Sequence, residues 1–433
     1  MRLGAAAALR PLRYRSFAVL WTASLVSNVG TWMQTVAVGA LVISRTGQAS
    51  WAVLVAAGAF LPIGLLSPVG GALADRLPRR PVIAAGNLVE GVIAAVIAWL
   101  VGTGHDAPYD LLALVTAQGA AAALIGPFSQ AILPDLVPRS EFLAASSLNS
   151  AQWNAGRIVG PALAGAAVAA FGFQASFDAN AASFLAVVAA LAFIRLSPPP
   201  GSTGPLLRSM YDGLRAAWAQ PSCRAATISI AVVAFLAAPF IALVPAVAHA
   251  FTHGGATQVA AATAALTTAQ GAGAVAGALC IPPLAMRFGR GRVLTSSLAL
   301  LPLVLICYGA APSLWLAVAG LFVVGMVYMS VLSGLQTVAQ LRAPAAYRGR
   351  VLSFFMVALG VAYPIGSLAQ GPVANHLGVG WTTVGSALLL GVISLTVSWR
   401  WPGFVRAVAG SEAGGTATAP ETAPVAEPAT ECG

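Results

Sequence analysis

The chain has 433 residues, of which 58% are hydrophobic and 8% are charged, and its mean hydropathy is +0.85. A soluble globular domain carries about 25% charged residues, so this composition excludes an ordinary soluble protein. The formal net charge of +10 rests on 22 basic residues, all of them arginine. Their placement along the chain favours a role in membrane orientation over nucleic-acid binding.

Twelve apolar stretches, here called spans 1 to 12, follow one another along the chain. Spans 1 to 6 cover about residues 17–43, 50–74, 81–101, 109–132, 150–171 and 174–195, and spans 7 to 12 cover about residues 224–250, 257–285, 293–309, 312–338, 351–374 and 377–398. A helix needs about 20 apolar residues to cross a bilayer core. The sequence therefore predicts an all-α polytopic membrane protein with twelve transmembrane helices.

The arginines lie almost entirely on one side of these spans. Twenty of the 22 precede span 1 or follow an even-numbered span, while Arg45 lies in the first opposite loop and Arg157 lies inside span 5. Because cytoplasmic loops carry an excess of arginine and lysine, both termini are predicted to be cytoplasmic. The expected location is the inner cell membrane.

The two halves of the chain resemble each other at an offset of 206 to 211 residues. Gly160, Gly165 and Gly172 of the first half match Gly366, Gly371 and Gly378 of the second. Such repeats are typical of transporters with a site near the bilayer midplane. We expect a six-helix bundle over 1–195, a cytoplasmic linker over 196–223 with an amphipathic helix at 206–218, a second bundle over 224–400, and a disordered cytoplasmic tail over 401–433.

The loop after span 2 carries a glycine, an acid and several arginines in close order. The candidate gate residues are Gly71, Asp75, Arg76, Arg79 and Arg80. This pattern resembles the cytoplasmic signature of the major facilitator superfamily, although Pro78 stands where that signature usually has glycine. The resemblance implies a polar latch that closes the cytoplasmic side by joining the halves.

Span 5 contains a second motif, formed by Gly156, Gly160, Pro161 and Gly165. It resembles the glycine-proline motif of the exporter branches of the same superfamily, and small residues at this spacing allow close helix packing. The run Leu335-Gln336-Thr337, with the downstream Pro344 and Arg348-Gly349-Arg350, resembles the enterobactin-exporter and macrolide-efflux branch. These resemblances imply an exporter.

Ionisable residues inside a membrane are costly, and they mark candidate functional positions. Arg157 shares one helix face with Asn149 and Trp153, at intervals of four residues. It either binds an anionic substrate group, takes part in a proton relay or forms a static interhelical ion pair. Glu90, deep in span 3, and Asp178, near the start of span 6, are the other coupling candidates. A structural role or a place at the lipid interface is the alternative for Glu90. Asp178 is alternatively a helix cap.

Polar and aromatic residues of the central spans are the candidates for substrate binding. They are Asn28, Thr31, Gln34, Gln118, Asn149, Trp153, Phe235, Phe240, Tyr328, Gln336 and Gln340. Ordinary hydrogen bonds between helices are the alternative for each polar member. The mixture of amides and aromatic rings favours a medium-sized amphipathic organic molecule.

Together these features predict a monomeric secondary transporter that exports a siderophore, antibiotic or drug-like compound by alternating access, coupled to protons. An importer of the same fold and a non-transporting membrane sensor are the alternatives. The sequence contains no nucleotide-binding motif and no metal-ligand spacing, so we expect no cofactor, no metal and no enzymatic activity. Beyond substrate and protons, lipid is the only expected partner, and nucleic acid is not one.

Overall fold

The computed structural model of the chain describes residues 9–194, 215, 218–252, 254–343 and 348–409. Within them, every predicted span is helical, and no strand occurs. Spans 1 to 6 are the helices Arg15–Thr46, Ala49–Ala74, Arg79–Gly102, Pro108–Ala131, Phe142–Phe171 and Phe173–Ala192. Span 7 consists of helices Pro221–Leu236 and Phe240–Phe251, and spans 8 to 12 are Ala256–Phe288, Arg290–Gly309, Leu314–Arg342, Arg348–Leu377 and Val379–Arg400.

Eleven of these spans are long and apolar enough to cross a membrane, with the two helices of span 7 counted as one. Span 5 is the exception, although its helix has 30 residues. It contains Asn149, Asn154 and Arg157, which lower its hydropathy. Polar side chains of this kind are costly against lipid.

Short elements connect the spans. Within the described residues they are the 3-10 turns Arg10–Arg13 and Arg139–Glu141, the helical turn Leu133–Leu136 and the helix Pro402–Ala409. The helix Pro402–Ala409 corrects part of the tail prediction, because its buried residues Ala407 and Val408 give the segment an apolar face to pack on the second half. Residues 410–433 and nearly all of the predicted linker helix at 206–218 lie outside the described residues.

Equivalent turns connect the last two spans of each half. Gly172 and Gly378 have φ angles of 80° and 83°, a positive-φ conformation that glycine adopts without the strain other residues incur. These two positions are related by the 206-residue offset of the sequence repeat. The shared backbone conformation supports the predicted duplication into two six-helix halves.

The halves meet through spans 2 and 11 and through spans 5 and 8. A Cβ atom added at Gly64 would lie 2.7 Å from the carbonyl carbon of Gly360, so these two glycines set a close backbone approach of spans 2 and 11. Gly271 of span 8 lies similarly close to the backbone of Arg157 in span 5. Small residues therefore let the halves touch near midspan.

Additional contacts join the halves at the end opposite the arginine-rich loops. The Ser50 amide donates to Asn375 Oδ1 at 3.1 Å, and Asn375 Nδ2 donates to Ser50 Oγ at 2.8 Å. Gly39 packs against Pro245, and Gly165 packs against Ala264. We call this set of contacts the outer seam.

Close packing of spans 8 and 10 yields the first prediction. A Cβ atom at Gly325 would collide with the Gln270 carbonyl oxygen, a backbone atom that cannot rotate away. Overpacking of this kind costs about 1–3 kcal/mol, so we expect Gly325→Ala to lower the unfolding temperature of the detergent-solubilised protein.

Gly385→Ala is the matched control, because no atom lies within 4 Å of a Cβ atom at that position in span 12. Its unfolding temperature should equal or slightly exceed that of the wild type, since alanine favours a helix. Equal unfolding temperatures for both variants would contradict the proposed packing of spans 8 and 10.

Candidate functional site

A groove on span 5 holds a tryptophan of span 1. Gly156 and Gly160 face Trp32, and a Cβ atom at these positions would lie 3.2 Å from Trp32 Cδ1 and 2.5 Å from Trp32 Cβ respectively. Larger residues would push the indole away. The glycine pair of the predicted packing motif therefore positions one aromatic side chain, whereas Gly165 contacts Ala264 of the other half. Pro161 is buried within the same helix.

The Trp32 ring contacts a cationic side chain and a second aromatic ring. The Arg157 guanidinium carbon lies 5.5 Å from the centroid of the Trp32 ring, within the range of a cation–π interaction. Trp153, one turn before Arg157, meets the Trp32 ring edge-on at a centroid distance of 6.2 Å. Trp153 is also 52% exposed, so this cluster has an open side.

Two further aromatic pairs come from spans 2, 7, 10 and 11. Phe60 and Tyr363 form an edge-to-face pair across the two halves, with centroids 5.6 Å apart, and Phe240 pairs with Tyr328 at the same distance. Tyr328 lies within electrostatic range of both Arg157 and Tyr363. We call Trp32, Trp153, Arg157, Tyr328 and Tyr363 the Arg157 site.

Several polar atoms of the Arg157 site lack a partner. The indole N–H of Trp32 and the hydroxyl of Tyr363 are buried and make no hydrogen bond among the described residues. Arg157 makes neither a hydrogen bond nor an ion pair within that part of the chain, so the static ion pair considered from the sequence is absent there. Buried donors without acceptors are rare in folded proteins, and a missing ligand is one explanation.

Carboxylates are absent from a large part of the sequence. No aspartate or glutamate occurs between Asp212 and Glu412, a range that includes all of spans 7 to 12. The second half therefore cannot supply an acidic partner to Arg157 from its membrane spans. The charge of Arg157 has to be balanced from the first half, from water or from a bound molecule.

Two predicted substrate-binding residues instead join the helices of the first half. Gln34 of span 1 donates to the side-chain oxygen of Gln118 in span 4, and Asn180 of span 6 donates to Gln34 Oε1 at 2.7 Å. Ser183 continues the chain by donating to the Asn180 carbonyl oxygen at 2.7 Å. Because Gln34 and Gln118 are both buried and mutually bonded, we assign them to the interior of the first bundle.

The remaining substrate candidates occupy different surroundings. Asn28 lies beside Gly156, Asn149 is half-buried, and the Thr31 hydroxyl donates to the Ser27 carbonyl oxygen at 3.0 Å. Phe240 is fully buried and Phe235 is 38% exposed. Gln336 is half-buried, and Gln340 is exposed near the end of span 10, away from the Arg157 site.

The coupling candidates differ in burial. Glu90 is 9% exposed and has no hydrogen bond or ion pair within the described residues. Asp178 is exposed and lies six residues into a helix that begins at Phe173, where Gly172 is the capping residue. The helix-cap interpretation of Asp178 is therefore wrong, because Gly172 occupies the cap position and Asp178 lies within the helix.

The signature residues after span 2 bind mostly within their own half. Arg79 donates to Asp135 Oδ2 at 3.1 Å and to the Ala131 carbonyl oxygen at 2.9 Å, and Arg80 donates to the Ala192 carbonyl oxygen at 2.9 Å. Asp75 is exposed, and Gly71 has open space around its Cα. These two arginines thus tie span 3 to the ends of spans 4 and 6.

Sequence reasoning missed two members of the Arg157 site. Trp32 and Tyr363 were not among the candidates, since an aromatic residue in an apolar helix is usually part of the core. A usable signal for Trp32 was the glycine pair of span 5, which leaves room for one large side chain on a neighbouring helix. Nothing in the sequence singled out Tyr363.

Two six-helix halves that pack along spans 2 and 11 and along spans 5 and 8 define a polytopic membrane fold of two helix bundles. The solved structure of a bacterial homolog of the human lysosomal transporter Spinster, inward-facing and unoccupied, has this fold, with a TM-score of 0.70 at 16% identity over 93% of this chain and 99% of that one. The family described as Transmembrane secretion effector matches residues 6–411. The chain belongs to this family, within the efflux-like branch of the major facilitator superfamily, whose members are transporters rather than enzymes.

Characterised relatives resemble most of the chain. The multidrug efflux pump Tap of Mycobacterium tuberculosis (strain ATCC 25618 / H37Rv) is 29% identical over 389 residues, which cover 86% of this chain and 90% of Tap. Macrolide efflux protein A of Streptococcus pyogenes is 23% identical over 385 residues, which cover 86% of this chain and 93% of that protein. The resemblance stated from the sequence motifs is thereby confirmed.

Because Arg157 has no ion-pair partner among the described residues, the fold should tolerate its replacement by a neutral residue. Removing an arginine from an ion pair leaves the acid without its partner, whereas Arg157→Gln leaves no acid behind. We expect Arg157→Gln to lower the free energy of unfolding by no more than about 1 kcal/mol, the loss of the cation–π contact with Trp32, measured on purified protein in detergent. Arg79→Gln is the comparison, and it should lower stability by about 1 kcal/mol or less, because Asp135 is partly exposed.

A marked loss of stability in Arg157→Gln would mean that the guanidinium has a structural partner. The interpretation of Arg157 as an open binding group would then fail.

Proposed function

We propose that this protein exports a small organic molecule, such as a siderophore, an antibiotic or a drug-like compound, across the inner cell membrane. The observation that carries this proposal is the Arg157 site, in which a half-exposed tryptophan and an unpaired cation lie where the two halves meet. The names of the relatives, an efflux pump for multiple drugs and a macrolide efflux protein, support the direction of transport. The positive-inside distribution of arginines supports cytoplasmic termini.

Alternating access is the proposed mechanism. The outer seam lies on the side without arginine-rich loops, and the exposed face of Trp153 lies towards the arginine-rich side of span 5. In an exporter, this state loads substrate from the cytoplasm. Opening then requires that the Ser50–Asn375 hydrogen bonds break and that the halves rock around the Arg157 site.

The signature after span 2 is the proposed cytoplasmic gate. Gly71 leaves space for a close approach of the second half, and exposed Asp75 is available to accept hydrogen bonds from it. Arg79 and Arg80 hold the loop in position through their bonds to spans 4 and 6. The latch would form in the state that opens outward and separate again as the cytoplasmic side reopens.

Proton coupling is the proposed energy source, with Glu90 as the proton carrier. Glu90 is the only carboxylate among the described residues that lies deep in a span, and it is buried without an ion pair, so it is the one membrane carboxyl group placed to bind and release a proton. Asp178 is a weaker candidate because its exposure gives its carboxylate no defined partner. We expect the transporter to act as a monomer surrounded by lipid.

Transport across an imposed pH gradient tests this proposal. Purified protein in liposomes is given siderophores, macrolides and lipophilic dyes, and uptake and efflux are followed for each compound. We expect gradient-driven movement of at least one compound by the wild type. Glu90→Gln should abolish the dependence on the gradient, whereas Asp178→Asn, the matched control, should retain it.

Transport of a compound at a rate that does not depend on the pH gradient would contradict proton coupling, but it would still identify the protein as a transporter. If no compound moves in either direction, export fails and the membrane-sensor alternative becomes the better account.

A further inference from the structure

We infer that the Arg157 site selects substrates that carry an anionic group on a flat aromatic body, and that it disfavours cations. This inference rests on the proposed export function, because it names the class of molecule that the same site accepts. It goes beyond that function, since export alone does not fix the charge of the substrate. Three steps lead to it from the structure.

The first step is the unpaired guanidinium. Arg157 touches the face of Trp32 and has no acidic or hydrogen-bonding partner among the described residues. A guanidinium is charged under all ordinary conditions, and its fork of N–H groups matches carboxylate, sulfonate or phosphate oxygens. Stacking on Trp32 leaves these N–H groups free at the edge of the guanidinium plane to bind such an anion.

The second step is the excess of donors. The unpartnered Trp32 indole N–H can only donate a hydrogen bond, and the unpartnered Tyr363 hydroxyl is able to donate one. Arg157 and these two groups supply donors, and the positive charge of Arg157 opposes a cation that would otherwise bind the aromatic faces. A ligand satisfies this set only when it brings acceptor atoms, and an anion brings the strongest ones.

The third step is the absence of competing acids. Spans 7 to 12 contain no carboxylate, and the buried carboxylate of the first half, Glu90, makes no ion pair with Arg157. A cationic substrate would therefore meet the like charge of Arg157 without any acid in the second half to offset it. The rings of Trp32, Trp153 and Tyr328 meanwhile provide apolar surface for a flat aromatic body.

A pair of xanthene dyes with similar ring systems and opposite charge tests the inference. Fluorescein is an anion at pH 8, and rhodamine 123 is a cation. Binding is measured by fluorescence anisotropy with the purified protein in nanodiscs of phosphatidylcholine, which has no net charge, and empty nanodiscs correct for partitioning into lipid. We expect the wild type to bind fluorescein at least tenfold more tightly than rhodamine 123.

Variants assign the preference to individual side chains. Arg157→Gln should weaken fluorescein binding by about ten- to hundredfold, as expected for loss of a charged hydrogen-bonding partner, and Arg157→Lys should restore part of it. Tyr363→Phe should weaken binding by about two- to tenfold, because it removes one neutral donor. Arg139→Gln, at an exposed arginine outside the site, is the matched control and should bind like the wild type.

The inference is overturned if the wild type prefers rhodamine 123, if it binds neither dye, or if Arg157→Gln changes fluorescein binding by less than about twofold. Equilibrium binding requires no translocation, so this result is independent of the transport assay. Arginine-dependent fluorescein binding without gradient-driven transport would uphold the site and reject export. Transport that survives Arg157→Gln with unchanged dye preference would uphold export and reject the proposed site.

Discussion

The contact between Arg157 and Trp32 is the interaction on which the rest of the site depends. A charged side chain within a membrane helix needs an environment that tolerates its charge, and the face of an indole ring provides part of it. That contact exists only because Gly156 and Gly160 leave a groove for the indole. The small residues of span 5 thus contribute to chemistry as well as to packing, since they fix the position of the cation between the two halves.

The halves differ in how they use polar residues. The first half contains the hydrogen-bonded chain from Gln118 through Gln34 and Asn180 to Ser183, which links spans 1, 4 and 6 and favours their motion as one body. The second half has no acidic side chain in its spans and packs spans 8 and 10 through glycines. Two bundles that are each held together by their own contacts are suited to rocking, because those internal contacts persist while the outer seam breaks.

Much of this architecture was predictable from the sequence. The spacing of arginines and apolar stretches predicted the helices, and the glycine repeat predicted two related halves, in which Gly172 and Gly378 share one backbone conformation. Arg157 was singled out because a charge within a span is costly wherever it lies. These features are local, or they repeat with a fixed period, and so they can be read without knowledge of which helices touch.

What the sequence could not give depends on contacts between distant helices. Gln34 and Gln118 are 84 positions apart and looked like substrate contacts, yet their side-chain amides are hydrogen-bonded to each other. The role of Trp32 depends on a groove more than 120 positions away, and the pairing of Ser50 with Asn375 joins opposite halves. Asp178 does not cap span 6 for a simpler reason, because Gly172 precedes the helix and Asp178 lies inside it.

Locking the outer seam tests alternating access around the Arg157 site most directly. Ser50→Cys and Asn375→Cys are introduced together into a protein whose native cysteines are replaced by serine, and a short bifunctional thiol reagent then cross-links them. The account predicts that the cross-linked protein still binds substrate from the arginine-rich side but does not transport it, and that each single cysteine variant transports normally after the same treatment. Undiminished transport by the cross-linked protein would contradict the account, because the halves would then move substrate without parting at this seam.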